Sequence, residues 1–291
     1  MSINITVIAA MAIALDPSYV KSIEDYRQKA EQTLKSDSGW LTVVGLHWLK
    51  PGATTFGSAA GNDFVLPAGK APQKAGVFYF DGKTVRLEAA GGSGIQVNGK
   101  PFREGTLQND SHGAEPDKVT LGDLTVTVIE RGGRIGLRLR DRTSKYRQQF
   151  THRRWYPVQA QYNVKGKFLP YPQPKMLRIP TVIEGVVEEH ESPGEIEFQL
   201  GGKTNRAQVL KSGPNELWLI FRDRTSGKET YPAGRFLYGD LLADGAVRFD
   251  FNKAYNPPCA FTPFATCPLP PRQNSFAIPI PAGELTYHVQ E

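Results

Sequence analysis

The spacing of apolar residues changes near residue 39. Before it, Asp16-Pro17 opens a helix, with an acid to cap the first turn and a proline where no backbone donor is needed. Tyr19, Ile23, Tyr26, Ala30 and Leu34 then recur at helical spacing and form one apolar face, until Ser36 to Gly39 stop it. This predicts an amphipathic helix over 16–38. From Trp40 onward the pattern is short apolar runs separated by glycine turns: 41–49, 76–80, 84–89, 95–97, 124–129 and 135–139. Asp81-Gly82 and Asn98-Gly99 are hairpin turn signals between such runs. Regular short strands of this kind predict a β-sandwich over 39–149.

A second β series follows over 150–291, with runs at 158–164, 182–187, 196–200, 208–210, 217–221, 235–238, 247–251 and 276–280. Its turn signals are Lys165-Gly166, Ser192-Pro193-Gly194, Gly201-Gly202, Ser212-Gly213-Pro214 and Asp244-Gly245. The expected fold class is mainly β: an N-terminal helix, a sandwich, then a second antiparallel β domain, sandwich or barrel.

Composition agrees and adds little. The chain has 291 residues, long enough for two cored domains, with 29 glycines and 22 prolines favouring turns over helices. Charge changes the picture more. Residues 131–154 hold nine basic side chains and one acid, Asp141, so the net +6 of the chain is a local property of this stripe. Such a stripe binds an anionic ligand or polymer, or it is a solvated strand face or an interdomain contact. No recognition-helix pattern, zinc-finger spacing or aromatic platform accompanies it, so nucleic acid is not expected as a partner. The first residues, MSINITVIAAMAIALDP, are uncharged up to Asp16 and contain a small-residue Ala12-Ile13-Ala14 site. They read as a signal remnant over 1–15, which places the protein in the periplasm or outside the cell. No transmembrane segment is expected.

Two resemblances emerge. Phe56-Gly57-Ser58, Gly61-Asn62-Asp63-Phe64-Val65-Leu66, Gln96-Val97-Asn98-Gly99-Lys100 and Val119-Thr120-Leu121-Gly122-Asp123 together resemble a forkhead-associated domain over about residues 40–140. That family binds phosphothreonine through an arginine after the first glycine and a Ser-x-x-His loop. Here Ser58 follows Gly57 and the loop reads Pro72-Gln73-Lys74-Ala75-Gly76. The resemblance therefore implies the sandwich without phosphothreonine binding.

The second covers nearly the whole chain. Gly39-Trp40-Leu41-Thr42-Val43-Val44-Gly45-Leu46, Ile220-Phe221-Arg222-Asp223 with Thr225-Ser226-Gly227-Lys228-Glu229-Thr230-Tyr231, Gly234-Arg235-Phe236-Leu237-Tyr238, and the run from Asp250 to Pro263 resemble the bacterial family called domain of unknown function 1684. It implies a two-part β protein, often exported, and supplies no activity.

Chemistry concentrates near the end of the chain. Residues 248–272 contain six prolines, five aromatics and both cysteines, Cys259 and Cys267. In an exported protein two cysteines eight positions apart form a disulfide candidate, worth on the order of 2–3 kcal/mol through the unfolded state. No metal site or cofactor is expected: the five histidines are scattered, and no phosphate-binding or dinucleotide fingerprint appears. The pentapeptide Arg-Asp-Arg-Thr-Ser occurs at 140–144 and again at 222–226, either as two similar turns or as arginine pairs facing an anion.

Three functional readings follow. A binding module for a small-molecule or anionic glycan ligand would use Arg222, Arg224, Tyr231, Arg235, Tyr238 and Asn252. A hydrolase-type enzyme would use Asp250 as base with Tyr255 and Asn256. A scaffold would make protein contacts only, through its degenerate sandwich. Apart from these readings, the polar set itself is either a site or a buried hydrogen-bond network that fixes the proline segment.

Overall fold

The structure, a computed structural model, describes residues 15–287. The segment read as a signal remnant, apart from Leu15, and His288 lie outside the described residues. The helix α1 runs from Pro17 to Lys35, and the Asp16 carboxylate accepts from the Ser18 N–H as its cap. Trp40–Thr42 makes one 3-10 turn, and eleven strands follow. They are β1 (Val43–Trp48), β2 (Gly52–Gly57), β3 (Phe64–Val65), β4 (Gly76–Phe80), β5 (Val85–Ala89), β6 (Gln96–Val97), β7 (Lys100–Pro101), β8 (Glu104–Leu107), β9 (Val119–Leu121), β10 (Leu124–Arg131) and β11 (Arg134–Asp141). One sheet runs β1-β11-β10-β9-β6-β7 and the other β3-β2-β4-β5-β8, with Phe56, Phe78, Leu87, Leu124 and Leu137 packed between them. Asn98 and Gly99 both take positive φ, 51° and 77°, which is what a two-residue hairpin between β6 and β7 requires.

The short helix α2 (Lys145–Gln149) leads into the second domain, a closed antiparallel barrel. Its strands are β12 (Asn163–Pro180), β13 (Val187–Leu200), β14 (Lys203–Lys211), β15 (Glu216–Phe221), β16 (Arg235–Leu241) and β17 (Ala246–Asp250), paired in chain order and shut by β12 against β17. Ile196, Phe198, Val209, Leu219, Phe221, Leu237 and Phe249 fill it.

Several sequence expectations shift here. Lys165-Gly166 is not a turn but lies inside β12, where a Cβ on Gly166 would sit 2.8 Å from the Glu197 carbonyl. Ser192-Pro193-Gly194 is likewise inside β13, opposite a break in pairing between Pro170 and Lys175. The prolines that hid these strands are housed in that irregularity, where no ladder donor is needed. Residues 182–186 form the connection between β12 and β13, and most of 158–164 is loop and a 3-10 turn. Residues 276–280 bend at Ala277 and Ile278 and join no ladder. Phe276, Ile278 and Ile280 instead insert into the barrel core, with Phe276 N–H donating to the Arg222 carbonyl.

The helix α1 comes first in the chain yet docks on the barrel. Tyr19 Oη donates to Asp250 Oδ2 at 2.9 Å, Tyr26 Oη to the Lys253 carbonyl at 3.1 Å, and Arg27 Nη2 to the Asn252 carbonyl at 3.1 Å. Ile23 and Leu34 of the predicted apolar face are buried. Among the described residues no helix is long and apolar enough to cross a membrane.

Candidate functional site

On β15 the alternation of a half-buried strand sends Leu217, Leu219 and Phe221 into the barrel and leaves Trp218 and Ile220 on the outside. On β16, Leu237 and Arg235 point in while Phe236 and Tyr238 point out. Trp218 pairs in register with Tyr238, and Ile220 with Phe236. Phe236 also exchanges both backbone hydrogen bonds with Tyr255, at 2.9 Å each, which sets Tyr255 beside the same face.

The outcome is a row of three nearly parallel rings. Trp218 and Tyr238 lie 6.2 Å apart at 20°, and Tyr238 and Tyr255 6.1 Å apart at 23°. Phe236 stands edge-on to Trp218 at 4.9 Å and to Tyr255 at 5.9 Å, wedging the row from beneath.

This row is one wall of a cleft of about 630 Å³. The C-terminal half of α1 (Tyr26, Lys29, Ala30, Thr33, Leu34) forms a second wall, and Trp40 a third. Asn256, Pro258 and Phe261 of the proline segment close it, with Arg153 at its base. The proline segment is strapped in place from both sides. Tyr231 Oη donates to the Cys259 carbonyl at 2.9 Å, Val182 N–H to the Cys267 carbonyl at 2.9 Å, and Thr262 Oγ1 to the Val43 carbonyl at 2.9 Å. Cys259 and Cys267 are free thiols, with the Cys259 N–H 3.2 Å from Cys267 Sγ.

Charge in the cleft floor is tied down. Arg153 grips Glu284 with both Nε and Nη2, and Glu284 Oε2 also accepts from the Asn256 N–H at 2.7 Å. Burial pushes the Glu284 carboxyl up, while the Arg153 guanidinium opposes that shift. Burial raises the Tyr26 phenol to about 12 and lifts the Tyr255 phenol further, with Tyr238 adding to the effect. These phenols are hydrogen-bonding groups at neutral pH, not bases. Two buried polar atoms in the lining have no partner among the described residues: the Trp218 indole Nε1 and the Asn256 Oδ1.

The residues singled out from sequence fall in five places. Tyr238, Tyr255 and Asn256 line the cleft. Asp250 and Asn252 lie at the docking point of α1. There Asp250 Oδ1 accepts from the Asn252 N–H and Nδ2, and Asn252 Nδ2 also donates to the Gln159 carbonyl. Arg235 is wholly buried inside the barrel and bonds Asp223 Oδ2 at 2.6 Å and the carbonyls of Ile280 and Ala282. It therefore does not join Arg222 and Arg224, which stand exposed beside a shallow depression of about 310 Å³ with Ser226 and Ser275. Tyr231 holds the proline segment. Sequence reasoning missed Trp40, Trp218, Arg153 and the part played by α1. The signal for Trp218 was present: it is the large aromatic among outward-facing positions on a strand whose other face is continuous aliphatic core. Among the described residues no group of three or more His, Cys, Asp or Glu is placed to hold a metal ion.

Comparison with known proteins covers the same ground unevenly. Residues 148–285 match the family described as Protein of unknown function (DUF1684). The match takes in the barrel and the proline segment but not α1, Trp40 or the sandwich. An uncharacterized protein of Haloarcula marismortui, solved by NMR, is 26% identical over 48% of this chain and 79% of its own, with a TM-score of 0.41. The FhaA FHA domain, complexed with the intracellular domain of another protein, is 20% identical over 33% of this chain and 97% of its own, with a TM-score of 0.24. A further FHA domain, described by its phosphothreonine-dependent interactions, is 21% identical over 34% of this chain and 96% of its own, also at 0.24. No curated protein matches the chain.

Proposed function

We propose that the protein is a binding module that seats a small ligand with a flat apolar face in the aromatic cleft. The observation that carries this reading is the Trp218–Tyr238–Tyr255 row, three rings held parallel on the outside of a barrel and left facing a concave space. Ligand sites are concave and mostly apolar with a few fixed polar groups, and this cleft has that composition. The unpartnered Trp218 N–H and Asn256 Oδ1 offer one donor and one acceptor to a guest. Tyr238 remains 42% exposed, which is the state of a platform and not of a core residue. The hydrolase reading fares less well, since Asp250 Oδ2 accepts from Tyr19 of α1 and Oδ1 accepts from the Asn252 N–H and Nδ2.

Calorimetric titration with 2-naphthol, a planar probe of suitable size, tests the proposal. Saturable binding that is lost in Trp218→Ala and in Tyr238→Ala, with near-native circular dichroism in both, is the expected result. Binding that is absent, or indifferent to both substitutions, would sink it.

The thiols carry a second, smaller reading. We propose that Cys259 and Cys267 pair when an oxidised thiol such as glutathione disulfide is present, each losing a hydrogen while the oxidant is reduced to two thiols. Their adjacency and the sequence reading of an exported chain support it. Mass measurement under non-reducing conditions decides it: an unchanged mass after treatment with glutathione disulfide removes the proposal.

A further inference from the structure

We infer that the ligand of the aromatic cleft is an anion, a small amphipathic carboxylate whose ring lies on the aromatic row and whose charge is drawn to the Trp40 side. This rests on the cleft being the binding site and names the chemical class it takes.

The argument starts from Trp40, whose ring lines the cleft. Two guanidiniums lie over that ring, Arg138 at 5.0 Å and Arg140 at 5.6 Å from its centroid. Both come from β11, and both belong to the basic stripe. Arg138 is 5% exposed, and its Nε and Nη2 have no hydrogen-bond partner among the described residues. Burial, then the neighbouring Arg131 and Arg140, push its pKa down to about 10, so the site is unfavourable for the cation it holds. An unpaired buried cation of this kind costs stability unless something compensates it. The carboxylate that acts on Arg138, Asp110, accepts from Arg131 with both oxygens, and the acids around the cleft are taken as well. Glu284 is locked to Arg153, Glu31 Oε2 accepts from the Arg153 N–H at 2.9 Å, and Asp37 pairs with Arg147 at 2.8 Å. Arg140 bonds only the Gly39 carbonyl and the Thr42 hydroxyl. Lys29 adds a further cation on the α1 wall, with no ion pair among the described residues.

The field in the cleft is therefore positive against an apolar wall of low dielectric, where it acts strongly on a guest's charge. A cationic guest is repelled, and a neutral one gains only the stacking. The basic stripe thus has a use: it sets Arg138 and Arg140 over the Trp40 ring that lines the cleft, while its Arg153, in the lining itself, is paired with Glu284.

Three probes share one body and differ in charge: 2-naphthaleneacetate, its amide, and 2-naphthylethylamine. Titration of the full chain should rank them acid, amide, amine, with the acid about tenfold or more above the amide. Only the acid should weaken as salt is raised. Arg138→Met should fold with an equal or higher Tm, because it removes an unpaired buried charge, yet bind the acid about tenfold more weakly and the amide unchanged. A purely structural Arg138 would leave the acid-to-amide ratio untouched, and that result overturns the inference. Equal binding of acid and amide to the unsubstituted chain overturns it too, while the cleft itself stands as a binding site. Failure of all three probes overturns the anion assignment together with the cleft reading.

Discussion

The same five residues, Arg-Asp-Arg-Thr-Ser, fold the same way at 140–144 and at 222–226, and both aspartates are buried, but the cations they meet are not equally so. In each, one aspartate oxygen caps the turn. Asp141 Oδ1 accepts from the Thr143 N–H and hydroxyl, both at 2.9 Å, and Asp223 Oδ1 accepts from those of Thr225 at 2.7 and 2.6 Å. The other oxygen finds a cation. For Asp141 it is Lys70, whose side chain is 31% exposed at the sandwich rim. For Asp223 it is Arg235, and both side chains are fully buried. A turn motif thus sets local geometry in both places, while the tertiary partner sets how much depends on it. An ion pair beside water contributes little. One sealed in a core is dangerous to break, because removing one partner leaves the other charge unpaired and dry.

Arg235→Met is the most severe way to break this comparison. It leaves Asp223 alone in the barrel and frees the carbonyls of Ile280 and Ala282, for an expected loss of about 3–5 kcal/mol in urea unfolding. Arg235→Lys, which keeps the charge, should recover part of that. A loss below about 1 kcal/mol for Arg235→Met would show the two turns to be energetically alike. The two aspartates come next. Asp223→Asn keeps the turn bonds but removes the counter-charge, and should lose roughly 2–4 kcal/mol, whereas Asp141→Asn should lose about 1–2 kcal/mol, since Asp141 is buried but its Lys70 partner stays partly in water.

Smaller still is the hydroxyl. Thr225→Val should cost about 1 kcal/mol and exceed Thr143→Val, since Thr225 Oγ1 also meets Thr230 Oγ1 at 2.8 Å in a buried site. The smallest effect is in pH. Burial tends to raise the Asp141 carboxyl, but Lys70 and the two Thr143 donors outweigh it and hold it below the ordinary 3.8. A carboxyl lowered on folding adds stability above its unfolded value and loses it as pH falls through the folded one. The difference in urea midpoint between the native chain and Lys70→Met should therefore be largest near neutrality and shrink toward zero below pH 3.8. A difference that grows in acid would contradict the assignment.

What the sequence revealed and what it hid follow from range. Asp16-Pro17 and the 19, 23, 26, 30, 34 spacing are local signals, and α1 forms where they place it. Asn98-Gly99 and Gly201-Gly202 are local too, and both turn as two-residue hairpin chemistry demands. β12 and β13 were only partly legible: the run at 196–200 lies in β13, but Lys165-Gly166 and Ser192-Pro193-Gly194 carry turn chemistry and yet sit inside the strands. The cleft was half legible for the same reason. Tyr238, Tyr255 and Asn256 stand out in a dense segment, but Trp40, Trp218 and Arg153 come from three other places, and only the tertiary fold joins them. Arg235 was grouped with the ligand-binding arginines, but strand alternation turns it inward with Leu237.

The docking of α1 has a consequence for synthesis. Tyr19 and its partner Asp250 are 231 positions apart, so the helix leaves the ribosome long before its seat exists. Through the whole translation of the sandwich its apolar stripe lacks the barrel segment it docks on, and Leu34 has only Trp40 and Leu41 of its final cluster close behind it. Nascent chains in that condition are the ones that recruit chaperones or aggregate, and long-range closure of this kind is slow. A fragment beginning at residue 148, where the family match begins, escapes that wait but forfeits the α1 and Trp40 walls of the cleft.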